Sequence, residues 1–146
     1  MRRVASIGLL VLAAGCSDSS NAHRYYPPDD RARRALEAAL QAWQSGSPPG
    51  TVAGTSNPTV QFVDSHHTPG QRLKEFSVLG MAPGDGPKVF TVKLKLDGPS
   101  ADVNARYVVF GLDPLWVMRH EDYDMMNHWE HSMKGGKGPE GKSPAP

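Results

Sequence analysis

Lys88-Val89-Phe90-Thr91-Val92-Lys93-Leu94-Lys95-Leu96-Asp97 alternates apolar and polar residues almost without a break. Phe90, Val92, Leu94 and Leu96 fall on one side, while Thr91, Lys93 and Lys95 fall on the other. A period of two belongs to a strand with one buried face. The flanks Ala82-Pro83-Gly84-Asp85-Gly86-Pro87 and Asp97-Gly98-Pro99-Ser100 are turn compositions. Working outward, residues 101–112 repeat the alternation, with Val103, Ala105, Tyr107 and Val109 on one face. Short strands are expected over residues 59–65 and 115–120, and a further strand over residues 71–81. They are separated by His66-His67-Thr68-Pro69-Gly70 and by Asp113-Pro114.

A sheet with one apolar face needs a cover, and the chain provides one upstream. Over residues 29–45, Ala32, Ala35, Leu36, Ala39, Leu40 and Trp43 recur at three- and four-residue spacing and draw a single helical stripe. Asp29 or Asp30 suits the N-cap, and Gly46 with Pro48-Pro49 stops the helix. Residues 46–58 read as a loop. The expected fold class is α+β, with one N-terminal amphipathic helix packed across a four- to five-strand antiparallel sheet. The order of elements over residues 29–120 resembles the cystatin-like and NTF2-like rolls. The resemblance to the NTF2-like roll implies a small-ligand pocket between helix and sheet; a core filled by Leu36, Leu40, Trp43, Phe90 and Val92 would leave no room for it. The inhibitory hairpin of the cystatins has no counterpart here.

The N-terminus carries a different kind of information. Arg2 and Arg3 precede an apolar run that ends in Leu12-Ala13-Ala14-Gly15-Cys16, and polarity returns with Ser17-Asp18-Ser19-Ser20-Asn21. Charge, a short apolar run and small residues are the layout of a secretory signal. The run is shorter than the roughly 20 residues a spanning helix needs. Cysteine directly after Ala-Gly resembles the bacterial lipobox, although Ala13 stands where that family usually has leucine. The resemblance implies cleavage before Cys16, acylation of its thiol and anchorage in the cell envelope. Ser17, in place of a retention aspartate, implies the outer rather than the inner membrane. Several acyl chains, at about 0.8 kcal/mol per buried methylene, hold a protein where one chain does not.

The expected division is therefore a signal peptide at 1–15, a polar tether at 16–28, one α+β domain at 29–133 and a disordered Gly/Lys/Pro-rich tail at 134–146. Cys16 is the only cysteine, so the chain has no internal disulfide. Lys and Arg total 16 against 15 Asp and Glu. That balance, with no basic run, carries no electrostatic footprint for nucleic acid. The expected partners are the lipid bilayer, through acylated Cys16, and another envelope protein.

Residues 120–133 hold the densest set of ligand-type side chains, with three of the six histidines and three of the six methionines. His128 and His131 are one helical turn apart, and Met126 is near in sequence. Imidazole with thioether suits copper, and imidazole with carboxylate suits zinc. The packing alternative buries Tyr123, Met126 and Trp129 on one helical face and leaves the histidines in solvent. Asp64 and His66 fall on one strand face, as an acid–base pair would need. Alternation places two such residues together on any strand by chance, and His66-His67 reads as a solvent-exposed turn. Phosphate-cradling, haem-attachment and nucleophile-elbow motifs are missing from the sequence. The reading is thus an envelope lipoprotein with a small binding or structural domain and no evident enzymatic activity. A metal-binding accessory lipoprotein and an NTF2-like ligand-binding domain are the alternatives.

Mass spectrometry of the mature N-terminus checks the anchor: the first residue is expected to be Cys16, carrying diacylglycerol. A chain starting elsewhere, or an unmodified thiol, would refute it.

Overall fold

The structure is a computed structural model that describes residues 25–134, with side chains described through residue 129. The signal, most of the tether and the tail beyond residue 134 lie outside the described residues. The fold is α+β, built from two helices and one six-stranded mixed sheet. The elements in order are α1 (Asp29–Gln44), β1 (Gly50–Thr51), β2 (Val60–Val63), β3 (Arg72–Met81), β4 (Lys88–Asp97), β5 (Ala101–Phe110), β6 (Leu115–Arg119) and α2 (His120–Lys134).

The α1 stripe is buried as its spacing predicts: Ala32, Ala35, Leu36, Ala39, Leu40 and Trp43 all face the sheet. The cap differs from expectation. Pro28 occupies the N-cap and makes no side-chain cap bond; its carbonyl accepts from Ala32 N at 2.9 Å. Asp29 and Asp30 lie in the first turn instead, where negative charge still suits the helix dipole. Asp29 Oδ1 is also 2.9 Å from Nζ of the buried Lys88.

The sheet is not a simple antiparallel meander. Its order is β1-β2-β6-β5-β4-β3, and β2 runs parallel to β6 with Val60 opposite Leu115. Strand β1 arises inside the expected loop and pairs antiparallel with β2. The strands of residues 59–65 and 71–81, consecutive in sequence, therefore stand four places apart in the sheet. Residues 64–71 bridge them by crossing the C-terminal end of α1. There His67 lies against the Trp43 ring, 5.5 Å between centroids, and Gln44 Nε2 donates to the Lys74 carbonyl at 2.6 Å.

Two register shifts explain why residues 71–81 alternate poorly in sequence. Between Leu73 and Glu75, and again between Val78 and Gly80, β3 gains a residue relative to β4. Each bulge resets the phase, so Leu73, Phe76, Val78 and Met81 all reach the core side. Bulges also bend a strand and raise its twist, which lets the sheet curve round one helix. Gly111, at φ +82°, makes the β5–β6 turn, where a Cβ would stand 2.7 Å from the Pro114 carbonyl oxygen.

The concave side holds one core in which Leu36, Leu40, Trp43, Phe90 and Val92 are all buried together. These five side chains occupy the space where a roll-type internal pocket would lie. Among the described residues, no helix is long and apolar enough to cross a membrane.

Core and surface leucines should separate cleanly in urea unfolding. Leu94→Ala removes a fully buried side chain and is expected to cost about 3 kcal/mol. Leu79→Ala, at an exposed bulge, should change stability by less than about 0.5 kcal/mol.

Candidate functional site

Three places bring chemistry-bearing side chains together: the C-terminal helix, a buried polar cluster, and the mouth of the curved sheet.

Helix α2 follows β6 without a connecting loop and folds back over the convex face of the sheet. Its first turn is acidic, with Glu121 and Asp122 at the positive end of the dipole. The Asp122 carboxylate accepts from the Ser65 backbone N–H at 2.9 Å and from the Ser65 hydroxyl. His120 Nδ1 lies 3.0 Å from Asp124 Oδ2 and 3.4 Å from Arg106 Nη2. Tyr123 packs on Phe110 at 5.2 Å, and Phe110 stacks on Trp116 at 6.5 Å.

Beyond Tyr123 the expected packing fails. Met126 is 38% exposed and Trp129 67%, with Met125 beside them at 62%. The physical reason is the short supply of convex apolar surface. Val108, Phe110, Trp116 and Met118 provide it, with Val63 and Val89 at their margins, whereas the rest of β4 presents Thr91, Lys93 and Lys95 on that face. Tyr123 uses that surface, and the next turns of the helix find none.

The helix also separates the residues expected to hold copper or zinc. Met126 and His128 are two positions apart, hence about 200° apart round the axis, and cannot reach one ion from one helix. The His131 side chain lies outside the described ones. Among the described residues, no three His, Cys, Asp or Glu side chains converge on a point that could hold a metal ion.

The second place is buried. Along β2, Val60, Phe62 and Asp64 point inward; along β6, Leu115, Val117 and Arg119 do the same. Parallel pairing sets Val63 opposite Met118, so Asp64 meets Arg119, while Tyr107 is the register partner of Arg119 on β5. The Tyr107 hydroxyl donates to Asp64 Oδ2 at 2.6 Å, and Arg119 Nη1 is 3.6 Å from that same oxygen. Asp64 Oδ1 accepts from the His66 backbone N–H at 3.0 Å. Arg119 Nε reaches Glu121 Oε2 at 3.2 Å, which joins the cluster to α2.

Burial first, then the Asp64 carboxylate, pushes the Tyr107 phenol well above its ordinary pKa, and Arg119 opposes this. For Arg119, burial works against the charge, but Asp64, Tyr107 and Glu121 outweigh it and raise its pKa. Asp64 and His66 do not form an acid–base pair. Asp64 turns into the core while the His66 side chain stays exposed. The cluster is a structural clamp, because its charges are paired and closed to solvent.

The third place is a groove of about 670 Å³ at the mouth of the sheet, between the end of α1 and the 64–71 crossing. Trp43, Gln44 and Pro48 form one wall, and His67, Pro69 and Gln71 the other. Trp43 is 3% exposed, and its Nε1 has no hydrogen-bond partner among the described residues. A smaller groove of about 410 Å³ runs between Arg31, Arg34 and the 54–58 turn.

Comparison with protein-family models, with curated protein sequences and with solved structures finds no match to this chain.

The clamp has a pH signature. Tyr107→Phe leaves Asp64 without its hydroxyl donor and is expected to cost about 2 kcal/mol at neutral pH. In the native protein the phenol stays protonated above pH 10, where an unfolded tyrosine ionises. Its contribution is therefore complete below pH of about 10 and is lost as pH rises through the higher native value. Chemical unfolding across this range should show a steeper alkaline loss in the parent than in Tyr107→Phe; parallel profiles would contradict the assignment.

Proposed function

We propose that the chain is an envelope lipoprotein, anchored by acylated Cys16 in the outer membrane, whose α+β domain binds another envelope protein through α2. One observation carries this reading: Met125, Met126 and Trp129 form an exposed apolar flank on a helix fastened to the sheet by its first turns. Positions 125 and 129 are one turn apart, and 126 and 129 are also neighbours on the surface. Such spacing suits an amphipathic helix laid into an apolar groove of a partner. Methionine adapts to irregular surfaces, and tryptophan contributes large buried area. The anchor confines the domain to one membrane surface, which favours a partner held at that surface.

This role needs no bond-making chemistry from the domain. The buried cluster at Asp64 is closed, and the convex helix offers contact area rather than a convergent set of reactive groups.

A photo-crosslinking residue in place of Trp129, in the anchored full chain, should yield one discrete adduct with an envelope protein. Met125→Ser/Met126→Ser is expected to lower that adduct about tenfold and to shift stability by less than about 0.5 kcal/mol, because both side chains are exposed. Adducts with lipid alone, or none, would sink the proposal.

A further inference from the structure

We infer that one end of the domain rests on the lipid surface, with Tyr25, Leu79 and Leu112 entering the headgroup layer. The inference rests on the anchor at Cys16 and uses none of the α2 residues assigned to a protein partner.

The strand pairing defines that end. Strands β3 and β5 finish there, and β2, β4 and β6 begin there: Met81 lies opposite Phe90, Lys88 opposite Val109, and Val60 opposite Leu115. Helix α1 begins there too, because Asp29 is paired with Lys88. The far end holds the 64–71 crossing and the Asp97–Ser100 turn.

The first observation is the placement of exposed apolar side chains. Outside α2, the large apolar residues exposed among the described residues are Tyr25, Leu79 and Leu112. Tyr25 precedes α1, Leu79 stands near the end of β3, and Leu112 lies on the β5–β6 turn. All three belong to the same end, and the β3 and β5 strands are only about 10 Å apart across the sheet. The far half of the ribbon instead presents the ion pairs of Lys74 with Asp97, Lys93 with Asp102 and Lys95 with Glu75. Scattered apolar residues are ordinary on a protein surface, but these are not scattered.

The second observation is the length of chain between lipid and domain. Residues 17–24 separate Cys16 from Tyr25, a connection that spans at most about 30 Å. It joins the domain at the same end, so the anchor brings Tyr25 and the turns at 82–87 and 111–114 towards the bilayer. The acyl chains already confine the domain to the surface. Each further apolar contact therefore forms at high effective concentration, without a new loss of translational freedom.

The third observation is charge. A surface entering the headgroup layer should carry few bare charges with it. At this end Asp29 is paired with Lys88 at 2.9 Å and Asp30 with Arg34 at 2.8 Å, and Asp113 Oδ1 accepts from the Thr59 N–H at 3.1 Å. Asp85 is the exposed charge of the 82–87 turn, which is otherwise Ala, Pro and Gly. Tyrosine suits this layer because its ring is apolar while its hydroxyl stays wet. Helix α2 starts at the far end, with Asp122 on Ser65, and returns along the convex face, with Tyr123 on Phe110. Its later turns thus approach the docked end, within reach of a partner held at the membrane.

The test uses the purified full chain in vesicles of phosphatidylethanolamine and phosphatidylglycerol, some headgroups carrying a nitroxide, with no other protein present. Acylation blocks the Cys16 thiol, so an added cysteine takes up a fluorescent label alone. Ala82→Cys puts the label at the docking end and Ser100→Cys at the far end; both positions are exposed. The label at position 82 is expected to be quenched about threefold more strongly than at position 100. The tether alone favours this order, so the apolar contacts are read separately. Leu79→Asp/Leu112→Asp should lower quenching at position 82 about twofold or more, with an unchanged urea midpoint, because binding to a membrane surface scales with the apolar area buried. If the aspartates disturb folding, Leu79→Ser/Leu112→Ser makes the same comparison. Equal quenching at positions 82 and 100, or quenching at 82 indifferent to the substitutions, would overturn the docking and leave the anchor standing. Label taken up by the parent chain would show a free Cys16 and overturn both.

Discussion

Everything in this domain depends on covering one helix. The stripe from Ala32 to Trp43 is too apolar to stay in water, and α1 has a single sheet available to bury it. Full burial of a leucine-sized side chain contributes about 1.5–3 kcal/mol, so Leu36, Leu40 and Trp43 alone make the α1–sheet interface the main source of stability. One helix is narrow, so the sheet must curl round it. The bulges in β3 and the long, strongly paired β3–β4–β5 ribbon make that curvature.

Curling has a topological consequence. Once the sheet wraps α1, its two sides approach each other at the end of the helix, and eight residues suffice to cross from β2 to β3. That crossing places His67 on Trp43 and creates the groove. The direct parallel pairing of β2 with β6 brings Asp64 at the end of β2 beside Arg119 at the end of β6, and Tyr107 reaches the same carboxylate from β5. A buried ion pair adds little net stability over an apolar substitute, yet breaking one partner is costly. Its effect here is to favour the parallel β2–β6 register over alternatives that would leave Asp64 or Arg119 buried and unpaired.

The convex side follows other rules. Its apolar area is small and centred on β5 and β6, and α2 is fastened at its first turns by Asp122 on Ser65, by Glu121 on Arg119 and by Tyr123 on Phe110. The following turns leave Met125, Met126 and Trp129 in solvent. The concave face is covered by α1 and the convex face only in part by α2, and this asymmetry leaves the apolar residues of the later α2 turns exposed.

Local periodicity was enough to find α1, β4 and β5 nearly to the residue, because their apolar spacing answers to a single buried face. It was also enough to mark Tyr107 as inward-facing. The inward phase of Asp64 and Arg119 was present in the same alternation, as charged residues continuing apolar faces, but neither partner can be recognised until β2 and β6 are known to be neighbours. The sequence by itself determined the helix, the principal strands and the turns between them. Only the tertiary structure decided the parallel β2–β6 pairing, the two-residue β1, the exposure of the α2 methionines and the groove at Trp43. These depend on which strands become neighbours and how much apolar surface is left after they pair, and such long-range contacts leave no local periodic trace.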